Sequence, residues 1–232
     1  MMGVDPIYLV ITGIAMLASQ FVGNMLRKKF NEYSELSLES NMSGKEIAEK
    51  MLQDNGILDV SVISVQGQLT DHYNPQNRTV NLSEVVYNAR NISAAAVAAH
   101  ECGHAIQHAS AYPMLTMRSQ LVPLVSISSK WMQYVLMAGI GLAATGSVFL
   151  LKVGVAMFAV TTLFSFVTLP VEFDASNRAL NWLEETGLAT KQEYPKAKDA
   201  LKWAAMTYVV AALASLGQLL YYISFLKRAQ QR

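Results

Sequence analysis

Residues 7–26 read IYLVITGIAMLASQFVGNML, an apolar run without a single charged side chain. A helix rises about 1.5 Å per residue, so a run of this length matches a hydrocarbon core roughly 30 Å thick. Three further uncharged runs follow late in the chain, at residues 131–151, 153–169 and 203–226. Hydrophobic residues make up 52% of the chain and charged ones 15%, which leaves too few charges to solvate the outer face of a water-soluble helical bundle. The pattern predicts a mostly α membrane protein with about four transmembrane helices.

The order of charges refines this. Arg27, Lys28 and Lys29 follow the first apolar run, the reverse of a secretory signal, so residues 1–29 are expected to be an uncleaved membrane anchor. Only Lys152 separates the second run from the third, which predicts a transmembrane hairpin over residues 121–171 turning at Lys152, with Gly154 easing the reversal. Residues 203–232 are read as a final transmembrane helix and tail. Basic residues concentrate in 27–130 and 172–202, so those segments are expected on the cytoplasmic side of a multi-pass cell membrane protein, with both termini outside. The net charge of +1 supplies no field that would draw the chain to nucleic acid. One cysteine excludes an internal disulfide.

Residues 30–120 have the mixed character of a soluble α+β portion. MSGKEIAEKMLQDNG predicts a helix with Ser43 and Glu46 at capping-box spacing and Gly56 just past its end. LDVSVISV alternates like a strand, and GQLTDHYNPQNRTVNLS reads as a hairpin turning through residues 74–77. From Ser93 the alanine-rich SAAAVAA favours helix and runs into VAAHECGHAIQH.

That last stretch carries the chemistry. On a helix, residues four apart lie nearly above one another, so His100 and His104 present imidazoles from one face at a spacing that can hold one ion. Glu101 sits beside them. This is the HExxH pattern, in which two histidines bind zinc and the glutamate acts as general base toward a zinc-activated water. It predicts a zincin-like catalytic portion with Zn2+ as cofactor.

A catalytic zinc needs a third protein ligand and an open position. His108 lies roughly 12 Å along the helix from His100, too far to share the ion. Cys102 is turned about 200° away and is expected to be a small buried side chain. His72, in the hairpin, approaches the site only if that hairpin borders the cleft. In LPVEFDASNRAL, Pro170 is expected to close the third span and Glu172 to begin the segment 172–202. A carboxylate from a second helix is the usual companion of such a histidine pair; the alternative is a solvated carboxylate that marks the end of a span.

With HECGH and VEFDASNRAL in this order, the chain resembles the bacterial membrane-embedded neutral zinc metallopeptidases of the YugP-like, or type 2 zinc-peptidase, family. The resemblance covers nearly the whole length and includes the DHYNP hairpin at Asp71 to Pro75. More distantly the layout is similar to HtpX-type and CAAX-prenyl-type membrane peptidases, whose third zinc ligand is a glutamate in an ExxxD motif. Carried over, this implies Glu172 as ligand. Ser176 stands where that motif has aspartate, with Asp174 two places earlier, so the partner that orients a histidine ligand is left open between Asp174 and another carboxylate.

The function expected is a membrane-bound zinc endopeptidase that hydrolyses membrane-associated or juxtamembrane polypeptides. His100, His104 and Glu172 would bind zinc and Glu101 would be the base. His72, Tyr73 and Arg178 are the candidates to steady the oxyanion, and the hairpin edge is a candidate to pair with a substrate strand. Two other readings compete. A site-2-type intramembrane protease would need the motif helix to span, but its second half is too polar. A noncatalytic zinc-containing adaptor would close all four positions with cysteine and histidine, for which one cysteine is too few. Oligomeric and regulatory partners are not legible in the sequence.

Overall fold

The computed structural model describes residues 5–231. Its helices are α1 (Pro6–Ser34), α2 (Gly44–Asp54), α3 (Glu84–Tyr87), α4 (Ile92–Ala109), α5 (Pro113–Ala143), α6 (Phe149–Glu185) and α7 (Tyr194–Gln230). Three short strands, β1 (Ser61–Val65), β2 (His72–Asn74) and β3 (Thr79–Ser83), lie between α2 and α3. The chain divides into two compact units. One comprises the described residues up to 21 with 117–169 and those from 207 onward; the other comprises 22–116 and 170–206.

The first unit is helical. Among the described residues, three helices are long and apolar enough to cross a membrane: α1, α6 and α7. Little of the apolar surface of α1 is covered by protein: Ile14, Met16, Leu17 and Phe21 are all at least 60% exposed, as expected where lipid is the solvent. The run expected as one span over residues 131–151 is instead divided. Helix α5 ends at Ala143, and the chain reverses over residues 144–148, where Gly146 adopts φ +89°. The turn thus falls before Lys152, which lies within α6. Gly146, without a Cβ, adopts this left-handed backbone at no steric cost.

Gly154, expected at the turn, has another task. A Cβ there would stand 2.7 Å from Leu136 Cδ2, and one on Gly139 would stand 2.6 Å from Leu151 N. Both glycines let α5 and α6 approach closely. Around them Leu136, Leu151, Val155 and Phe158 form a small core joined by Tyr222 and Ile223 of α7. Helices α1 and α7 run antiparallel: Tyr8 packs on Tyr221 with ring centroids 5.2 Å apart, and Arg228 donates to Asp5 at 3.4 Å.

The second unit is built on α4. Alanines at 94, 95, 96, 98, 99 and 105 are all buried, and their small side chains let neighbouring elements close on the helix from several sides. Asn91 caps its start by accepting from Ala94 N at 2.8 Å. Helix α2 packs alongside through Ile47, Ala48 and Met51, which are inaccessible. The expected capping box is present, with Ser43 Oγ accepting from Glu46 N and Glu46 Oε2 accepting from Ser43 N at 2.7 Å. Gly56 follows the helix at φ +69°.

The sheet order is β1-β3-β2. Strands β2 and β3 form the expected antiparallel hairpin, in register His72 with Asn81 and Tyr73 with Val80. Asn74 Oδ1 accepts from Gln76 N at 2.9 Å and shapes its turn, an Asx turn. Asp71 anchors the other end, accepting from Ser83 N and Oγ at 2.7 and 3.0 Å. Strand β1 pairs with β3 in parallel, which leaves β2 at the edge of the sheet.

Pro170 does not end a helix. It lies inside α6, which continues to Glu185. Beyond it Val171, Glu172, Ala175, Ser176, Ala179 and Leu183 are buried while Phe173 is exposed, the i, i+3, i+4 spacing of a one-sided helix.

Cys102 points away from the histidines, as expected, and its Sγ lies 3.5 Å from Ala48 O. Complete burial, aided by the Glu101 charge, pushes its thiol well up from the ordinary range. A maleimide reagent at neutral pH should therefore label native protein in detergent far more slowly than protein unfolded in denaturant, since the thiolate is the nucleophile; equal rates would contradict this packing.

Candidate metal centre

Helix α4 projects His100 and His104 from one face, and α6 supplies Glu172 from 68 positions or more along the chain. The Glu172 Oε2 atom lies 3.4 Å from His100 Nε2 and 3.6 Å from His104 Nε2. These three residues form a group whose ligand atoms all lie within 4.8 Å of one another. The imidazole rings stand nearly perpendicular, at 84°. Glu172 is 2% exposed and His104 8%, so the cluster is sheltered without being sealed.

What brings α6 this close is a glycine. A Cβ on Gly103 would stand 2.5 Å from Ala175 O, so the middle of HECGH is where the backbones of α4 and α6 meet. The structural role of Gly103 is to admit the helix that carries Glu172.

The outer nitrogens of both rings are occupied. Ser176 Oγ lies 3.1 Å from His100 Nδ1 and Gln107 Oε1 lies 3.0 Å from His104 Nδ1. Gln107 is fully buried, and its Nε2 donates to Val171 O and to Asp174 Oδ2, both at 2.8 Å. Two acceptors facing Nε2 dictate which way round the carboxamide sits, so Oε1 can only accept, and the network assigns the His104 proton to Nδ1. In the neutral ring His104 Nε2, the nitrogen turned toward Glu172, is then free to bind a metal. The Ser176 hydroxyl can donate or accept, and imposes no such choice on His100. Asp174 is held in turn by Arg178 Nε at 2.6 Å.

Burial alone would favour a neutral His104. Hydrogen bonding to Glu172 and the nearby Glu101 charge outweigh it and hold the imidazole's pKa above its ordinary value.

Glu101 stands apart from the three-residue group. Its Oε2 accepts from Tyr73 N at 2.9 Å, a hydrogen bond to a charged group worth about 1.5–3 kcal/mol. Tyr73 pairs with Val80 on its other side, so the outer edge of β2 faces this carboxylate. The remaining sequence candidates lie elsewhere. His72 is exposed with Nδ1 2.7 Å from Thr70 O, and His108 Nδ1 meets Tyr73 Oη at 2.8 Å. Arg178 is engaged by Asp174 and lies over the Tyr112 ring. None of the three joins the cluster, and the side chain of Tyr73 is directed to His108.

The donor set suits zinc. Two imidazole nitrogens and one carboxylate oxygen are ligands that ion accepts, and donors about 2.0–2.2 Å from a tetrahedral centre stand roughly 3.4 Å apart, close to the separations from Glu172. Outward hydrogen bonds at both Nδ1 atoms are the usual support for such ligands. Gln107 is the residue that sequence reasoning missed. Its signal was the spacing, since i+3 from His104 places it beside that ring, but glutamine is not a residue that announces metal chemistry.

Residues 8–227 match the family model described as "Putative neutral zinc metallopeptidase", and the chain belongs to that family. It is similar to "Putative membrane protease YugP" of Bacillus subtilis (strain 168), 40% identical over 198 residues that cover 85% of this chain and 87% of the relative. No solved structure matches it.

Two substitutions probe the architecture. Gly103→Ala should cost about 1–3 kcal/mol of stability by forcing α6 away and should lower the zinc content of the purified protein. Gln107→Leu keeps the volume but removes the acceptor, and zinc affinity measured against a chromophoric chelator should fall roughly 10–100-fold; an unchanged affinity would show that the carboxamide does not orient His104.

Proposed function

We propose that this protein is a membrane-bound zinc endopeptidase in which His100, His104 and Glu172 hold the metal and Glu101 is the general base. The observation that carries this reading is the meeting of Glu172 with both Nε2 atoms, 3.4 and 3.6 Å away, beside a carboxylate that is kept out of the group. When bound, zinc supplies Lewis acidity, which polarises the scissile carbonyl and acidifies a water molecule. Glu101 takes the proton from the attacking water as the new C–O bond forms. It passes that proton to the nitrogen as the C–N bond breaks, leaving a carboxylic acid and an amine, between which the remaining proton then moves to give carboxylate and ammonium. The Tyr73 N–H holds Glu101 in position for both transfers, and Gln107 and Ser176 keep the imidazoles turned inward.

The substrate class is polypeptide at the membrane surface. In the sequence Glu172 follows directly on the apolar run that ends at Leu169, which argues for a site at the lipid boundary. Helix α5, with Trp131, Tyr134 and Met137 exposed, is proposed as a further crossing paired with α6, which brings the total to about four. The distribution of Lys and Arg supports a cytoplasmic location for the site-bearing unit in a cell membrane. An intramembrane-cutting reading is not favoured, because α4 is not among the three helices apolar enough to span.

The test is a matched set of full-length proteins purified in detergent, with metal content and cleavage of an unfolded polypeptide measured together. Wild type should hold about one zinc, Glu101→Gln should keep that zinc while losing cleavage by about 10²-fold or more, and Glu172→Ala should lose the metal. Retained cleavage in Glu101→Gln would exclude the base; unaltered zinc in Glu172→Ala would exclude the third ligand.

A further inference from the structure

Beside the catalytic face of α4 lies a cavity of about 260 Å³, lined by Ile57, Val60, Tyr73, Ala105, His108 and Ala109 together with Asp59 and Arg78. We infer that this cavity is a substrate subsite that accepts an aromatic side chain of the polypeptide, two or three residues from the bond that is cut. The inference rests on the peptidase reading above.

Position is the first support. Tyr73 belongs to both places: its N–H donates to Glu101 Oε2 at 2.9 Å, while its hydroxyl meets His108 Nδ1 at 2.8 Å in the cavity wall. Ala105 and Ala109 lie four and eight residues beyond Glu101 on the same helix face, roughly 6 and 12 Å along the axis. An extended peptide advances about 3.3 Å per residue and shows one face to every second side chain. A chain whose carbonyl is attacked beside Glu101 therefore brings a side chain over this cavity after two or three residues.

Chemistry selects the occupant. An apolar cavity of about 150 Å³ accepts benzene, so the volume here admits a benzyl, phenol or indole group. Ile57, Val60, Ala105 and Ala109 give it aliphatic walls. Its polar groups are already matched to one another, Arg78 with Asp59 in an ion pair and Tyr73 with His108. No net charge remains to select a charged side chain. An aliphatic side beside paired polar groups suits a flat ring, with Tyr and Trp, whose rings carry one polar atom, favoured and Phe close behind. Trp and Tyr are enriched where polypeptides meet the membrane surface, the substrate class proposed for this site.

The test uses the full-length Glu101→Gln variant in detergent, so that binding is read without cleavage. Fluorescein-labelled nonapeptides carry one Tyr, Trp or Phe, scanned through an otherwise Ala/Ser sequence, and polarisation gives Kd against the peptide lacking it. Aromatic peptides should bind about tenfold tighter or more. Ala109→Phe, at an exposed position, and Val60→Phe each fill the cavity and should abolish that advantage. Equal affinity for all peptides, or an aromatic preference that survives both fillings, would overturn the subsite. Failure of the peptidase reading looks different: aromatic peptides bind with the expected preference, but zinc-loaded wild type leaves every one intact.

Discussion

The backbone of α4 at Gly103 meets the backbone of α6 at Ala175, and this contact leaves no room for a side chain. Much of the centre follows from it. Two histidines on one helix can present nitrogens to an ion, but neither can supply the third donor, and the helix that does so must come close enough for a short glutamate to reach both rings. Gln107 reinforces the same contact, since one carboxamide bridges His104 on α4 to Val171 O and Asp174 on α6. Spacing between the helices and orientation of a ring are thus set by neighbouring residues. A buried, fully satisfied polar group of this kind specifies geometry, because any slippage strands a donor or an acceptor away from water.

The hairpin makes a second demand on the same helix. Its edge strand offers a backbone N–H to Glu101, so the proposed base is aimed by main chain. The use of a backbone donor explains why nothing in the side chains of DHYNP pointed to this role. Asp71 secures the hairpin by accepting from Ser83, and the His72 ring meets Thr70 O. The residues that matter most to the centre here are those whose main-chain groups or unremarkable side chains happen to lie beside reactive ones.

Much was legible beforehand because it is local. The i, i+4 histidines, the capping box at Ser43 and Glu46, the hairpin turn at Asn74 and the inert burial of Cys102 all follow from helix or turn geometry within a few residues. Glu172 was reached by a combination of boundary chemistry and family resemblance, and the structure brings it to the histidines. The helical hairpin was misplaced for an instructive reason. Lys152 was the only charge between two apolar runs, yet a reversal is governed by backbone conformation, and Gly146 at φ +89° provides it. Pro170 was expected to close a span, and the boundary between the two compact units does fall between residues 169 and 170; the helix itself runs on, because one interrupted at one hydrogen bond can continue when its next turns are packed on one side.

Sequence alone determined the periodicities: that the runs at 7–26, 153–169 and 203–226 are apolar enough for lipid, and which helix carries the imidazole pair. Those properties repeat over 2, 3.6 or about 20 residues and need no knowledge of what lies opposite. Tertiary structure alone decided that β1 joins β3 in parallel, that Gln107 sets the tautomer of His104, that Tyr73 N–H holds Glu101, and that Gly103 serves contact with Ala175. Each is a pairing between segments distant along the chain, fixed by close packing and by the requirement that buried polar groups find partners.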